Sequence, residues 1–370
     1  MQELIEITSA VEKEIALQKE AVTRPSSTFL AAFNPAIYPD WNELILQTPD
    51  QCFFHTANWA RVLLGTYRYR PFYFARIEDN QLLDLLPLME IKSLITGTRA
   101  CGLPFSDYCP PIISKNTDVG ILFEFIRSFG QKFGWKQIEI KGSDDKDFFY
   151  PSASFYRHIL ALQNGAEEIY AGLRGNYRSK IRKAEKQDVR IEIKQSVAAL
   201  EEYYHLHCQT RKRHGLPPQP LRFFQKIYEH ILSQNMGFVT LAYHNRRVIA
   251  GAVYFHFGKQ MIYKFGASDA AYQHIPANYL SMWHAIQYAC QKGFETFCFG
   301  RTERSNPGLI QFKDGWGAQK ESLSYYTYNL KADAFKHGKQ EAKKPGWFLF
   351  KKMPVSMLKL AGSMLYRHMG

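Results

Sequence analysis

A chain of 370 residues that is 46% hydrophobic and 15% aromatic has core material for two ordinary domains, which excludes global disorder. Its net charge of +13 calls for a polyanionic partner: nucleic acid, an anionic membrane or a phosphate-bearing substrate. The cysteines at 52, 101, 109, 208, 290 and 298 form no C-x-x-C and no zinc-like pairing, so no metal is expected. Met1–Glu6 lacks the basic and apolar regions of a secretion signal, and no uncharged apolar run is long enough to span a bilayer. The expected compartment is the reduced cytoplasm.

In chain order, residues 3–22 read as an amphipathic, acid-rich helix, making 1–28 a tether. Two similar halves follow. In the first, Phe72–Ile77 and Leu82–Ile91 read as strands joined by a turn. The loop Cys101–Pro111, a helix over about 118–133 and a strand Gln137–Lys141 come next. In the second, Val239–His244 and Val248–Phe257 form a hairpin, and Met261–Ala267 a further strand. A helix over 278–292 and a strand Thr296–Gly300 complete it. The segments Phe129–Gly142 and Ala289–Gly300 share one pattern: helix end, glycine turn, aromatic, strand, glycine. This spacing suggests duplication of an α/β unit with a mixed sheet. The expected division is 29–165, 166–330 and a basic amphipathic tail, 331–370.

The segment Phe299–Ala318 carries Lys313, with Trp316 three residues on, between Gly308, Gly315 and Gly317. Either this is an ammonium beside an aromatic wall, suited to a developing oxyanion, or a lysine snorkelling over a core edge. Residues 174–194 hold eight Lys or Arg against three acids. On one helix over 170–187, Arg174, Arg178 and Arg182 make a stripe beside Tyr177 that suits phosphates; a solvated face is the plainer reading. Arg211–His214 before Gly-Leu-Pro-Pro reads as a helix end whose cations complement its dipole, with His214 a candidate base. Asp107 is a loop base or a turn cap. Asn278 reads as an N-cap and then a ligand contact, and Trp283 as core. The tail holds nine Lys or Arg against two acids and alternates apolar faces with cations around Trp347–Val355 and Met357–Arg367. It reads as an anchor on an anionic membrane surface or as a helix docked on its own domain.

The order of elements resembles that of GNAT-type acyltransferases, and specifically the Fem-like branch built from two tandem GNAT-like domains. The residues carrying this resemblance are Asn176–Lys186, Arg211–Pro218, Tyr263–Asp269, Pro276–Asn278 with Trp283, and Gly300-Arg301 with Phe312–Gly317. They run in family order over about 140 residues; Phe54–Trp59 and Leu103–Tyr108 match more weakly. The resemblance implies an α/β fold (an α+β mixed sheet) with its site where a GNAT sheet splays. It further implies Lys313 at the acyl carbonyl, Tyr263 assisting the leaving group, and Arg301 and Trp316 toward substrate. One departure is the loop Ala271–Asn278, which has no glycine where coenzyme A-dependent enzymes carry a glycine-rich pyrophosphate loop. A second is that no long charged helical arm for tRNA interrupts the second half.

The sequence therefore predicts an acyl- or aminoacyltransferase with no tightly bound cofactor. Its co-substrate would be acyl-CoA, aminoacyl-tRNA or a carrier-protein thioester, and its acceptor an amine or hydroxyl of a lipid-linked envelope or polysaccharide precursor. Asp107 or a water would take the acceptor proton. The competing reading is a non-catalytic basic module, binding membrane or nucleic acid on a degenerate GNAT scaffold.

Overall fold

The computed structural model describes residues 29–142, 151–337 and 348–370, so the tether expected over 1–28 lies outside the described residues. The first half runs β1 (Phe29–Phe33), α1 (Trp41–Leu46), α2 (Ala57–Tyr67), β2 (Arg70–Glu78), β3 (Gln81–Ser93), β4 (Gly97–Cys101), α3 (Val119–Lys132) and β5 (Gln137–Lys141). Between the halves lie β6 (Ala153–Ala161), α4 (Gly165–Gly172), α5 (Gly175–Lys186), β7 (Arg190–Lys194), α6 (Val197–Arg213) and α7 (Leu221–His230). The second half comprises β8 (Gly237–His244), β9 (Arg247–Phe257), β10 (Gln260–Ser268), α8 (Ala277–Gln291), β11 (Thr296–Glu303), α9 (Pro307–Asp314) and β12 (Gln319–Asn329). The short β13 (Ala334–Phe335), α10 (Phe348–Lys352) and α11 (Val355–Met369) close the chain.

Local chemistry sets the helix starts. Asp118 accepts from the Gly120 and Ile121 amides at the head of α3, and Ser196 from Ala199 at the head of α6. α9 opens on Asn306, whose side chain accepts from Leu309 N, with Pro307 in its first turn.

All the strands among the described residues join one 13-stranded sheet, in the order β1-β2-β3-β4-β5-β12-β6-β11-β10-β9-β8-β7, with β13 on β12. Each half is an antiparallel three-strand meander, a crossover helix and a strand returning parallel to the third: β5 beside β4, β11 beside β10. The halves then exchange their last strands. β6, which follows β5, pairs with β11, whereas β12, which follows β11, pairs with β5. β6 and β12 also pair with each other, so the duplicated units are stitched at the centre of the sheet. The chain is thus an α/β protein of two tandem, similarly built units in one mixed sheet.

The core confirms the stitching. Phe53 and Trp59 of the first half pack on Phe255 of the second and on Phe223 of α7, with Phe53 and Phe255 stacked at 4.7 Å. Burying such rings contributes about 1.5–3 kcal/mol apiece.

One expectation is corrected. The helix expected over 170–187 is two helices, α4 and α5, broken at Leu173 and Arg174, which are extended (ψ 143° and 140°). Leu173 turns into the core there, and Gly172 and Gly175 flank the break. Arg174 is consequently outside the helix, so the three-arginine stripe does not exist as one helical face. In the tail, α11 docks on its own chain through Leu358, Gly362 and Tyr366. Tyr366 Oη donates to Pro217 O at 3.2 Å, and Tyr69 Oη donates to Tyr366 O at 2.9 Å, so the helix touches the first half and the α6–α7 connection.

Candidate active site at the sheet splay

β10 and β11 pair only from Gln260–Ile262 to Thr296–Cys298 and then separate. β11 shifts register between Cys298 and Arg301 before continuing along β6. Gly300 occupies that shift with φ 72°, and a Cβ there would lie 2.9 Å from Asp107 Oδ2. A glycine is thus required twice over, for its backbone angle and for the approach of the carboxylate.

Lys313, in the last turn of α9, is 3% exposed. Its ammonium donates to Gly300 O at 2.8 Å and to Arg301 O at 3.1 Å. Two of its three N–H donors are thereby spoken for among the described residues, and Lys313 lies behind Gly300 rather than in the lining of the clefts described below. Burial pushes its pKa down to about 8; the nearby Arg301 adds to this, while Asp107 pulls the other way. At neutral pH the group is still a cation, and a weakly solvated one. Trp316 does not form the aromatic wall. It is 1% exposed and packs against Phe299, Tyr177 and Tyr279 in the core, so it is placed away from any substrate.

Asp107 arrives from the first half. Its loop is gripped from both sides by buried lysines: Lys141 Nζ donates to Leu103 O at 3.0 Å, and Lys264 Nζ to Phe105 O at 2.6 Å. Lys264 also meets Asp107 Oδ2 at 3.3 Å. Burial works to raise the Asp107 pKa, but Lys264, Arg301 and Lys313 outweigh it and hold the carboxyl below its usual range. The loop base is pinned by Cys52, His55 and Cys109, whose ligand atoms lie within 4.8 Å of one another. His55 Nδ1 accepts from Cys52 N at 3.0 Å and Nε2 faces Pro110 O at 2.8 Å, so the imidazole is spent on the loop rather than free for a metal. Lys264 was not expected here, because strict strand alternation puts it and Tyr263 on opposite faces. A β-bulge between Tyr263 and Phe265 removes Lys264 from that alternation.

Tyr263 lines a cleft of ≈ 360 Å³ on the α8 side of the splay, with His214, Asn278 and Phe312. Burial raises its pKa to about 12, so it stays protonated, and Gly266 leaves room for its hydroxyl. A neighbouring cleft of ≈ 350 Å³ shares Arg213, Ser268, Asn278 and Tyr279 and adds Lys180. Both open at the N-terminus of α8, where the Ala277 amide bonds to Ile275 O and the Tyr279 amide to Pro276 O. A third cleft of ≈ 200 Å³ is lined by Asp50, Asp107, Tyr108, Arg157 and Gly300. The splay therefore opens on more than one cleft, with Gly300 and Asp107 lining the last and Tyr263 the first.

The basic residues fall differently from their sequence reading. Arg174 and Arg182 are exposed, and Arg178 donates to Ala171 O. None of the three lines a cleft among those described; Lys180, on the next face of α5, does, held by Tyr279 Oη at 2.8 Å. Tyr177 is buried, and its hydroxyl donates to Phe312 O at 2.9 Å, docking α5 on α9. Arg211 is tied to Tyr366 Oη at 2.7 Å and to Pro217 O at 3.2 Å, whereas Arg213, unmarked in the sequence, lines both larger clefts. Asn278 is the second residue of α8, whose N-cap is Pro276, so its side chain is free of the expected capping duty. Arg301 lies over the Phe155 ring at 4.2 Å beside the splay.

The loop before α8 does not form a pyrophosphate cradle. The amides of Ala271, Tyr272, Ile275 and Ala277 bond within the loop, to Asp269 Oδ1, Asp269 O, Tyr272 O and Ile275 O, and residue 276 is proline.

Residues 171–314 match the family model for the acetyltransferase (GNAT) domain. No curated protein matches the chain in sequence. Among solved structures, FemX is similar with a TM-score of 0.63 and 14% identity, over 77% of this chain and 94% of FemX. L-PGS from Bacillus licheniformis is similar with a TM-score of 0.54 and 14% identity, over 90% of this chain and 98% of that one. The C-terminal domain of a lysylphosphatidylglycerol synthetase described as putative, from Agrobacterium fabrum, gives 0.50 and 14%, over 73% and 85%. Residues 171–314 are thus matched as a GNAT acetyltransferase domain, and the chain as a whole shares its fold with FemX and L-PGS, in keeping with the Fem-like, GNAT-type resemblance in the sequence.

Proposed function

We propose that the protein transfers an acyl or aminoacyl group from an activated ester or thioester to an amine or hydroxyl of a lipid-linked envelope or polysaccharide precursor. The observation that carries this reading is the buried Lys313 ammonium at the splay, with one N–H uncommitted among the described residues. The acceptor nitrogen or oxygen attacks the donor carbonyl, and Lys313 donates to the oxyanion that forms. Such a donor in a dry site is worth about 3–4 kcal/mol of barrier. Collapse breaks the bond to the donor's sulfur or oxygen, and Tyr263 protonates that leaving group. Asp107, held ionised by three cations, is a weak base; it anchors the acceptor amine while water carries its proton away. Lys180 and Arg213 support a phosphate-bearing donor: an aminoacyl-tRNA, a carrier-protein thioester, or an acyl-CoA held by side chains rather than by a glycine loop. The shared fold with a protein named for lysylphosphatidylglycerol synthesis supports a lipid-borne acceptor.

Calorimetric titration with acetyl-coenzyme A and with charged tRNA, separately and at moderate salt, tests the donor. Micromolar binding of either supports transfer, with uncharged tRNA as the control for charge alone. Binding of neither, and of no carrier-protein thioester, would contradict it.

A further inference from the structure

α11 is apolar on two opposite faces. Leu358, Gly362 and Tyr366 bury one of them, and Gly362 permits so close an approach that a Cβ would lie 2.0 Å from Pro218 O. On the far side Met357, Leu360 and Met364 are 52%, 64% and 62% exposed. At spacings of three and four residues they form one row along the helix. A helix lying on a water-facing domain places polar residues there, so among the described residues this row lacks the partner its composition calls for.

The row does not stand alone. At the C-terminal end of α11, His368 Nδ1 lies 3.0 Å from Ser93 Oγ. The same hydroxyl oxygen accepts from Ile95 N at 3.1 Å and Thr96 N at 3.0 Å, closing the β3–β4 turn. The tip of that turn is Leu94, fully exposed, and Ile95, 69% exposed. A leucine–isoleucine tip is unusual for a hairpin in water, where turns favour Gly, Asn and Asp. The surroundings are basic: Lys92 is exposed at the turn, and the Lys136 ammonium lies beside Gly97. On the helix side Lys351, Lys352 and Arg367 are exposed.

We propose that the outer row of α11 and the Leu94–Ile95 tip form one face that seats on an anionic lipid bilayer. Apolar side chains reach the acyl boundary while the surrounding cations meet lipid phosphates. The charge selects this occupant over a second copy of the chain, because a twofold contact through the same patch would set like cations against one another. The proposal is independent of the transfer chemistry, although a lipid-linked acceptor would give it a purpose.

The test is co-sedimentation of the full chain with phosphatidylcholine vesicles, with and without phosphatidylglycerol. The expected result is binding only when phosphatidylglycerol is present, weakened by salt. The triple variant Met357→Ser/Leu360→Ser/Met364→Ser and the double variant Leu94→Asn/Ile95→Asn should each lower the partition coefficient roughly tenfold or more. Both replace exposed side chains, so melting temperature and donor binding should stay unchanged, separating this result from any failure of the transfer reading. Binding indifferent to lipid charge, or either variant binding like the wild type, would overturn the proposal. So would a wild-type dimer that the triple variant abolishes.

Discussion

The two halves of this molecule start from one plan and end with different jobs. Each has a meander, a crossover helix, a glycine turn and a parallel strand that finishes on a glycine: Gly142 after β5, Gly300 within β11. A Cβ on Gly142 would make only ordinary contact, 3.4 Å from the Tyr326 ring, whereas Gly300 has φ 72° and the Asp107 carboxylate against it. The first half closes its splay: Gly102 N donates to Glu139 O at 2.7 Å, and Lys141 grips the loop that follows. The second half leaves its splay open, and the first half fills part of it with Asp107. One unit has thus become the holder of a loop and the other the holder of a cleft, and the exchanged strands β6 and β12 keep the two in register.

The largest effect that separates the halves should come from these glycines. Gly300→Ala should cost about 2 kcal/mol or more in chemical denaturation, through the left-handed angle and the displaced carboxylate. Gly142→Ala should cost under about 1 kcal/mol. Equal costs would break the contrast.

Next come the lysines that hold the Asp107 loop. Asp107→Asn removes the partner of the buried Lys264 and should cost about 1–3 kcal/mol, with Lys264→Met in the same background recovering part of it. An additive cycle would show that the pair does not interact.

Alkaline pH should distinguish Lys313 from ordinary lysines. Its folded pKa is lowered from 10.5 to about 8, so between those values the unfolded chain binds more protons and this group makes stability rise with pH. Below about 8 both states are protonated and its contribution is flat. The difference in unfolding free energy between wild type and Lys313→Met should therefore shift in favour of the wild type over that window. No shift would mean that burial does not hold the ammonium as described.

The smallest effects belong to α5. Arg182→Ala should change stability by less than about 0.5 kcal/mol and leave donor binding intact, while Lys180→Ala weakens binding measurably by calorimetry. The reverse order would return the phosphate contact to the arginine stripe.

Much of the fold was legible because it was written locally. The β8–β9 hairpin around Asn245 and Arg246, both at positive φ, follows from alternation and turn chemistry, as do α3, β5 and α8. The strand exchange was not legible, since β6 and β12 carry no residue that names their neighbour and pairing is decided by the assembled sheet. At the site, Lys313 was visible from its glycine-bounded helix. Lys264 was hidden by a bulge, and Arg213 by the runs of charge around it. Trp316 misled because spacing of i and i+3 gives a shared side of a helix without saying that this side is the core.

The central claim is that Lys313 stabilises charge formed only during transfer. The most direct measurement is turnover of the donor that binds, for wild type and Lys313→Met, alongside each protein's affinity for that donor. The account predicts unchanged affinity with turnover reduced about 100-fold or more. Equal turnover at equal affinity would remove Lys313 from the chemistry.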